Sequence, residues 1–71
     1  MTNETRLELL RTLDELGQLM PDVRFGQLIA DLSYLARGPA NESIWDAEDE
    51  ELLTAARKLL DTHRARAGFA V

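Results

Sequence analysis

The chain has no cysteine and only one histidine, so the side chains that carry much redox and zinc chemistry are scarce. Without cysteine it can form neither a disulfide framework nor a thiolate zinc site. No apolar run approaches the roughly 18 residues of a membrane span. The N-terminal segment is amphipathic and acidic, unlike the basic and then apolar order of a signal peptide. We therefore expect a cytoplasmic protein with no membrane partner.

Positive charge is also in short supply. Eight lysines and arginines stand against 13 aspartates and glutamates, which gives a formal net charge of −5. General binding to nucleic-acid phosphates needs a cationic surface, so the composition disfavours a nucleic-acid partner. Hydrophobic residues at 45% and charged residues at 30% are nevertheless typical of a folded protein.

The periodic spacing of apolar residues predicts an all-α fold, a small three-helix domain with helices near 3–20, 23–37 and 47–66. In the first helix, residues three and four positions apart form one apolar face: Leu9, Leu10, Leu13, Leu16 and Met20. Pro21 disfavours helical geometry at Met20, so this helix should end there. The length suits a single helical domain over 1–71, and we expect frayed ends at about 1–3 and 67–71.

The second helix carries the strongest periodic signal and is predicted to be the central element. Asp22 is its predicted N-cap, and Gly38 followed by Pro39 marks its end. Its core face follows the full i, i+3, i+4, i+7 pattern: Phe25, Leu28, Ile29, Leu32, Leu35 and Ala36. A face this apolar has to be buried, so we expect contacts on more than one side of the helix.

A loop over 38–45 connects the second and third helices and ends in two large apolar residues. Ile44 and Trp45 are expected to plug the open end of the helix pair. Asp46 is predicted to cap the third helix, with Asp49 at the capping-box position. The inner face of that helix then comprises Leu52, Leu53, Ala56, Leu59, Leu60 and His63.

Small residues form a second strip on the second helix, beside its core face, and this strip is the candidate recognition site. Gly26, Ala30 and Ser33 would let another backbone approach, while Gln27 and Tyr34 point nearly opposite the core. An outward tyrosine is typical of interfaces. Either neighbouring helices fill this strip, or it is free to bind a partner or a second copy. The exposure of Tyr34 distinguishes the two interpretations.

The acidic run over 46–51 raises the alternative of a metal-dependent enzyme, because hard metals bind several carboxylate oxygens. Consecutive acids at a helix start diverge around its axis, however, so capping and a solvated surface explain the run better. Glu48 and Glu51 would then attract a basic partner. His63 has no serine or acid at a local spacing suited to acid–base catalysis. We therefore predict no enzyme activity, no cofactor, and no catalytic or metal-binding residue.

A nucleic-acid-binding helical domain is the other alternative. It would depend on the chain's cations, of which only a C-terminal group is clustered: Arg57, Lys58, Arg64 and Arg66. Cations in that position are explained more simply by favourable interactions with the negative end of the helix dipole and with the nearby Asp61. The acids at the start of the same helix would repel phosphate, so this alternative is disfavoured.

Two segments carry a recognisable pattern. One is Arg24-Phe-Gly-Gln-Leu-Ile29, which reads R-x-G-Q-L-I, and the other is Ile44-Trp-Asp-Ala-Glu-Asp-Glu-Glu-Leu-Leu53, which contains D-x-E-D-E-E-L-L. Together they resemble a group of short, uncharacterised bacterial and phage-like proteins. The resemblance spans about half the chain. It implies a bacterial origin and a compact helical fold, and it transfers no catalytic residue.

The combined features predict a small, non-catalytic protein-interaction or regulatory module. It would bind a protein partner, or a second copy in a homodimer, through four residues of the second helix: Gly26, Gln27, Ala30 and Tyr34. Glu48 and Glu51 at the start of the third helix would guide the approach electrostatically.

Overall fold

The chain forms one more helix than its apolar pattern predicts. The structure is a computed structural model that describes the backbone of residues 3–70 and the side chains of residues 3–65. Four helices follow one another in this part of the chain: α1 (Asn3–Leu19), α2 (Phe25–Arg37), α3 (Glu42–Asp46) and α4 (Asp49–Ala70). The all-α prediction is confirmed, and the three long helices correspond to the three predicted ones. Frayed ends are predicted at about 1–3 and 67–71, and of these residues 1, 2 and 71 lie outside the described backbone. The backbone of Asn3 belongs to α1, and that of 67–70 continues α4 to Ala70, four residues past the predicted end of the third helix at 66.

α4 takes the central place that the apolar pattern assigns to the second helix. The largest interface joins α1 to α4, and α2 packs on α4 and on α3, whereas α1 and α2 contact each other less. With 22 residues and a rise of about 1.5 Å each, α4 is about 33 Å long, close to the 38 Å longest dimension of the molecule. A helix of that length has room for both α1 and α2.

The core consists mainly of leucines from the three long helices: Leu9, Leu13, Leu16, Leu28, Leu32, Leu53, Ala55, Ala56 and Leu60. Other apolar residues are half-buried against them: Met20, Val23, Ile29, Ala36, Leu52 and Leu59. Most of these residues lie on the predicted faces, so the helical spacing of three and four is confirmed as the origin of the core.

Three residues predicted in the core are instead exposed, namely Leu10 (53%), Phe25 (58%) and Leu35 (57%). In α1 the buried face includes Thr12, and Leu10 lies outside that face. Phe25 is the first residue of α2, and helical side chains lean towards the N-terminus, so its ring lies past the buried turns. Leu35 lies in the last turn, beside an open groove between α2 and α4.

The ends of α1 and α2 follow local signals, with one correction. The turn after α1 is closed by a hydrogen bond from the Val23 N–H to the Met20 carbonyl (3.1 Å). This turn delays the start of α2 to Phe25, so the prediction of Asp22 as its N-cap is wrong. The predicted end of α2 is confirmed, because Gly38 has a φ of 103°, where only glycine is unstrained.

The start of α4 lies two residues later than predicted. Asp46 is the last residue of α3 and does not cap α4. The backbone N–H of Glu48 instead donates to Glu51 Oε1 (3.1 Å), which is the reach-back bond of a capping box. The capping-box spacing is therefore present, but it belongs to Glu48 and Glu51 and not to Asp46 and Asp49.

The predicted loop contains α3, and the prediction that its apolar residues plug the core is wrong. Trp45 is 70% exposed and Ile44 is 37% exposed. Ser43 faces inwards in their place and donates its hydroxyl to the Gly38 carbonyl (2.7 Å). Each helical residue turns about 100° from the last, so an inward Ser43 sets Trp45, two residues later, on nearly the opposite side.

Candidate functional site

The predicted recognition residues of α2 differ in exposure along the helix. Gly26 and Gln27, in the first turn, are exposed, whereas Ala30 and Tyr34 are half-buried. Ser33, from the same strip, is fully buried and donates its hydroxyl to a main-chain oxygen one turn earlier (2.8 Å). The strip therefore fills the interior at Ser33 and reaches the surface at its N-terminal end.

The first turn of α2 leaves open space around its glycine. A Cβ atom placed on Gly26 would meet no atom within 4 Å, so packing among the described helices does not require a glycine there. The neighbouring ring of Phe25 is exposed. This end of α2 thus offers a bare backbone beside an aromatic ring, and both are features through which proteins make close contacts.

Glu51, one of the two predicted guiding acids, is bound within the fold. Its carboxylate accepts the Glu48 N–H and also both Nε (3.1 Å) and Nη2 (3.0 Å) of Arg37. The backbone hydrogen bond, with a further contribution from Arg37, lowers the pKa of Glu51 below its ordinary value of 4.5. These bonds join the end of α2 to the start of α4.

Glu48 lies at the surface, and other exposed acids lie near Trp45 in the sequence. Glu42 and Asp46 belong to α3, and Glu48 and Glu50 follow within one further turn; all four are exposed. The apolar pattern alone misses Trp45 as a surface residue. The signal that identifies it is the segment ESIWD, in which a small serine is the residue best suited to pack closely on α2.

Open grooves lie along α4 on both sides in the part of the chain whose side chains are described. One, of about 280 Å³, lies between α2 and α4 and is lined by Leu35, Ala36, Glu51, Thr54, Ala55 and Lys58. The other, of about 270 Å³, lies between α1 and α4 and includes the ion-paired side chains of Glu8 with Arg57 and Glu15 with Arg64. These two ion pairs cross the interface between α1 and α4.

His63 is half-buried on α4. In the part of the chain that the structure describes, no three His, Cys, Asp or Glu side chains are grouped so that they could hold a metal ion. None of the helices, over the same residues, has the length and apolar character needed to cross a membrane.

Comparison with known proteins assigns no family. No protein-family model, no curated protein and no solved structure matches the chain. The resemblance carried by the 24–29 and 44–53 segments stays a prediction.

Proposed function

We propose that this chain is a small, non-catalytic protein-interaction module that binds a partner protein or a second copy through α2 and the adjoining α3. The binding surface includes the predicted α2 residues Gly26, Gln27, Ala30 and Tyr34. Phe25, which starts the same helix, and Trp45 on α3 add aromatic area to it. Glu48 contributes negative charge at the margin.

The observation that carries this proposal is the exposure of large apolar side chains on α2 and α3. Phe25, Leu35 and Trp45 each leave more than half of their surface in water. Burying apolar surface is favourable by about 25 cal/mol per Å², and aromatic residues are enriched where proteins meet. A partner that covers these residues would therefore gain free energy that the isolated chain does not use.

The arrangement of the arginines favours a protein partner over a nucleic acid. Arginines on all three long helices contact carboxylates, in the pairs Arg6–Asp49, Arg11–Glu8, Arg37–Glu51, Arg57–Glu8 and Arg64–Glu15. Cations that face carboxylates supply little positive potential to a phosphate backbone. The net charge of −5 acts in the same direction.

Photo-crosslinking from the α2 surface tests the proposal directly. A photoreactive amino acid replaces Gln27, and the protein is irradiated in cells that express it. Gln27 is exposed, so the substitution should leave the fold intact. We expect a discrete covalent adduct, either with another protein or, at twice the mass of the chain, with a second copy.

The matched control is the same replacement at Gln18, an exposed glutamine near the end of α1. We expect the adduct to be several times weaker from this position. Equal adducts from Gln18 and Gln27, or none from Gln27, Tyr34 and Trp45 in turn, would overturn the proposed function.

A further inference from the structure

The corner where α2, α3 and α4 meet combines an exposed indole with a local excess of negative charge. The chain passes from the end of α2 at Arg37 through α3 to the start of α4 at Asp49. We call this region the α3 corner and define its surface by Ile44 and Trp45 together with the exposed acids Glu42, Asp46, Glu48 and Glu50. Trp45 is its most exposed apolar group, at 70%.

The acids of the α3 corner differ from the other acids of the same run in their partners. Asp49 is paired with Arg6 from α1, and Glu51 is paired with Arg37 from α2. Among the described residues, no side-chain ion pair is made by the acids within five positions of Trp45 in the sequence, apart from Asp49: Glu42, Asp46, Glu48 and Glu50. The nearby arginines therefore neutralise Asp49 and Glu51, and the negative charge of the acids of the α3 corner is not neutralised by a described arginine.

A cationic ligand satisfies both features of this surface. Uncompensated carboxylates attract positive charge and speed encounter with it. The face of a tryptophan binds a lysine or arginine side chain through cation–π attraction, and its area also buries apolar groups. A second copy of this chain is a poor occupant, because each copy carries a net charge of −5 and would bring acids against acids.

We propose that the α3 corner binds a basic, amphipathic segment of another protein, which places apolar and cationic side chains against Trp45. This inference rests on the proposed function and names the chemistry of the partner. Glu42, Asp46 and Glu48 attract the cations of the segment, while Trp45 and Ile44 provide the apolar contact. Binding should weaken as salt screens the carboxylates.

The probe is a fluorescently labelled amphipathic peptide of about fourteen leucines and lysines in a helical pattern. Its binding to the full chain is followed by fluorescence anisotropy at low salt and at about 0.2 M salt. We expect saturable binding that weakens at least about fivefold over this range, because the Debye length shortens. A peptide of the same pattern with glutamate in place of lysine should not bind, and equal binding of the two would overturn the inference.

Variants separate a local site from the effect of net charge. Trp45→Ala should weaken peptide binding about tenfold, whereas Leu19→Ala, which removes an exposed leucine at the end of α1, should not. The triple change E42Q/D46N/E48Q should weaken binding and reduce its salt dependence. The matched triple D14N/D22N/D61N alters net charge equally at other exposed positions, and its effect should be several times smaller. Circular dichroism confirms that each variant is folded.

Three further results would overturn this inference: equal effects of the two triple variants, no effect of Trp45→Ala, or a concentration-dependent dimer that Trp45→Ala abolishes. Equal effects would mean that only net charge attracts the peptide, and the dimer would mean that a second copy covers the corner. Failure here is distinguishable from failure of the proposed function, because crosslinking from Gln27 would still report a partner of different chemistry.

Discussion

At the scale of single residues, the buried faces of α1 and α2 each include a hydroxyl side chain. Thr12 and Ser33 are buried among leucines, and each donates its hydroxyl to a main-chain oxygen one turn earlier, at 2.8 Å. A hydroxyl that bonds in this way is not left unpaired by burial. A pattern based on apolar residues alone does not predict that Thr12 and Ser33 are buried. In α1 it therefore assigns Leu10 to the core face, whereas the structure buries Thr12 and exposes Leu10.

Two leucines of α1 provide a direct test of this register. Leu16 is fully buried and Leu10 is half exposed, although the apolar pattern assigns both to the core face. Leu16→Ala should lower the free energy of unfolding by about 2–5 kcal/mol, because it leaves a cavity. Leu10→Ala should lower it by no more than about 0.5 kcal/mol, as is usual at the surface. Urea denaturation measures both, and similar losses would show that α1 is rotated from the described register.

Glycines give a second residue-scale prediction in which one substitution has opposite effects. Gly17 lies inside α1, and a Cβ there would meet no atom within 4 Å. Gly17→Ala should therefore raise the free energy of unfolding by about 0.4–1 kcal/mol, because alanine restricts the unfolded chain. Gly38→Ala should lower it by about 1–3 kcal/mol, since φ at this position is 103°. Thermal unfolding gives both signs, and a stabilised Gly38→Ala would contradict the described end of α2.

At the scale of elements, the long helices follow from the sequence and the connections only partly do. Spacings of three and four in α1, α2 and α4 are repeated over several turns, so they include the buried leucines, although they also include the exposed Leu10 and Leu35. α3 has five residues, which is too short for a periodic signal, and its orientation is fixed by the bond from Ser43 to Gly38. The exposure of Trp45 follows from that tertiary contact and not from local pattern. The sequence pattern places the small residues of α2 on one strip. It does not predict that this strip is buried at Ser33 and exposed at Gly26.

The start of α4 should show a pH dependence that originates in Glu51. Its pKa is lowered in the folded chain, first by the Glu48 N–H and then by Arg37. Such a carboxylate stabilises the fold above its ordinary pKa of 4.5, and this contribution is lost as the pH falls through the lowered value. Wild type should therefore exceed Glu51→Gln in free energy of unfolding at neutral pH, and the difference should shrink below pH 4.5.

A control variant separates the two causes of the Glu51 shift. Arg37→Gln removes the ion pair but keeps the Glu48 N–H, which is the larger cause. In the Arg37→Gln background, the additional change Glu51→Gln should still produce a pH-dependent difference, smaller than in wild type. Urea denaturation at several pH values measures each difference. A wild-type advantage that stays constant into the acid range would contradict the bonds assigned to Glu51.

At the scale of the whole molecule, several charged groups form exposed ion pairs between helices, and four exposed acids without ion pairs lie within nine residues at α3 and the start of α4. Arg6, Arg57 and Arg64 contact acids across the α1–α4 interface, where exposed pairs of this kind contribute about 0–1 kcal/mol each. Most of the stability must therefore come from the leucine core. The acids without ion pairs are not spread evenly along the chain, because four of them lie close to Trp45 in the sequence: Glu42, Asp46, Glu48 and Glu50. This distribution is the basis for the basic partner proposed above.

The fluorescence of Trp45 tests the central claim most directly, because it is the only tryptophan in the chain. The free protein should show the long-wavelength emission of a hydrated indole at all concentrations. Adding the leucine–lysine peptide should shift that emission to shorter wavelength. A short-wavelength emission from the free protein at every dilution would mean that Trp45 plugs the core, as the apolar pattern of 38–45 predicts, and would contradict an exposed binding corner.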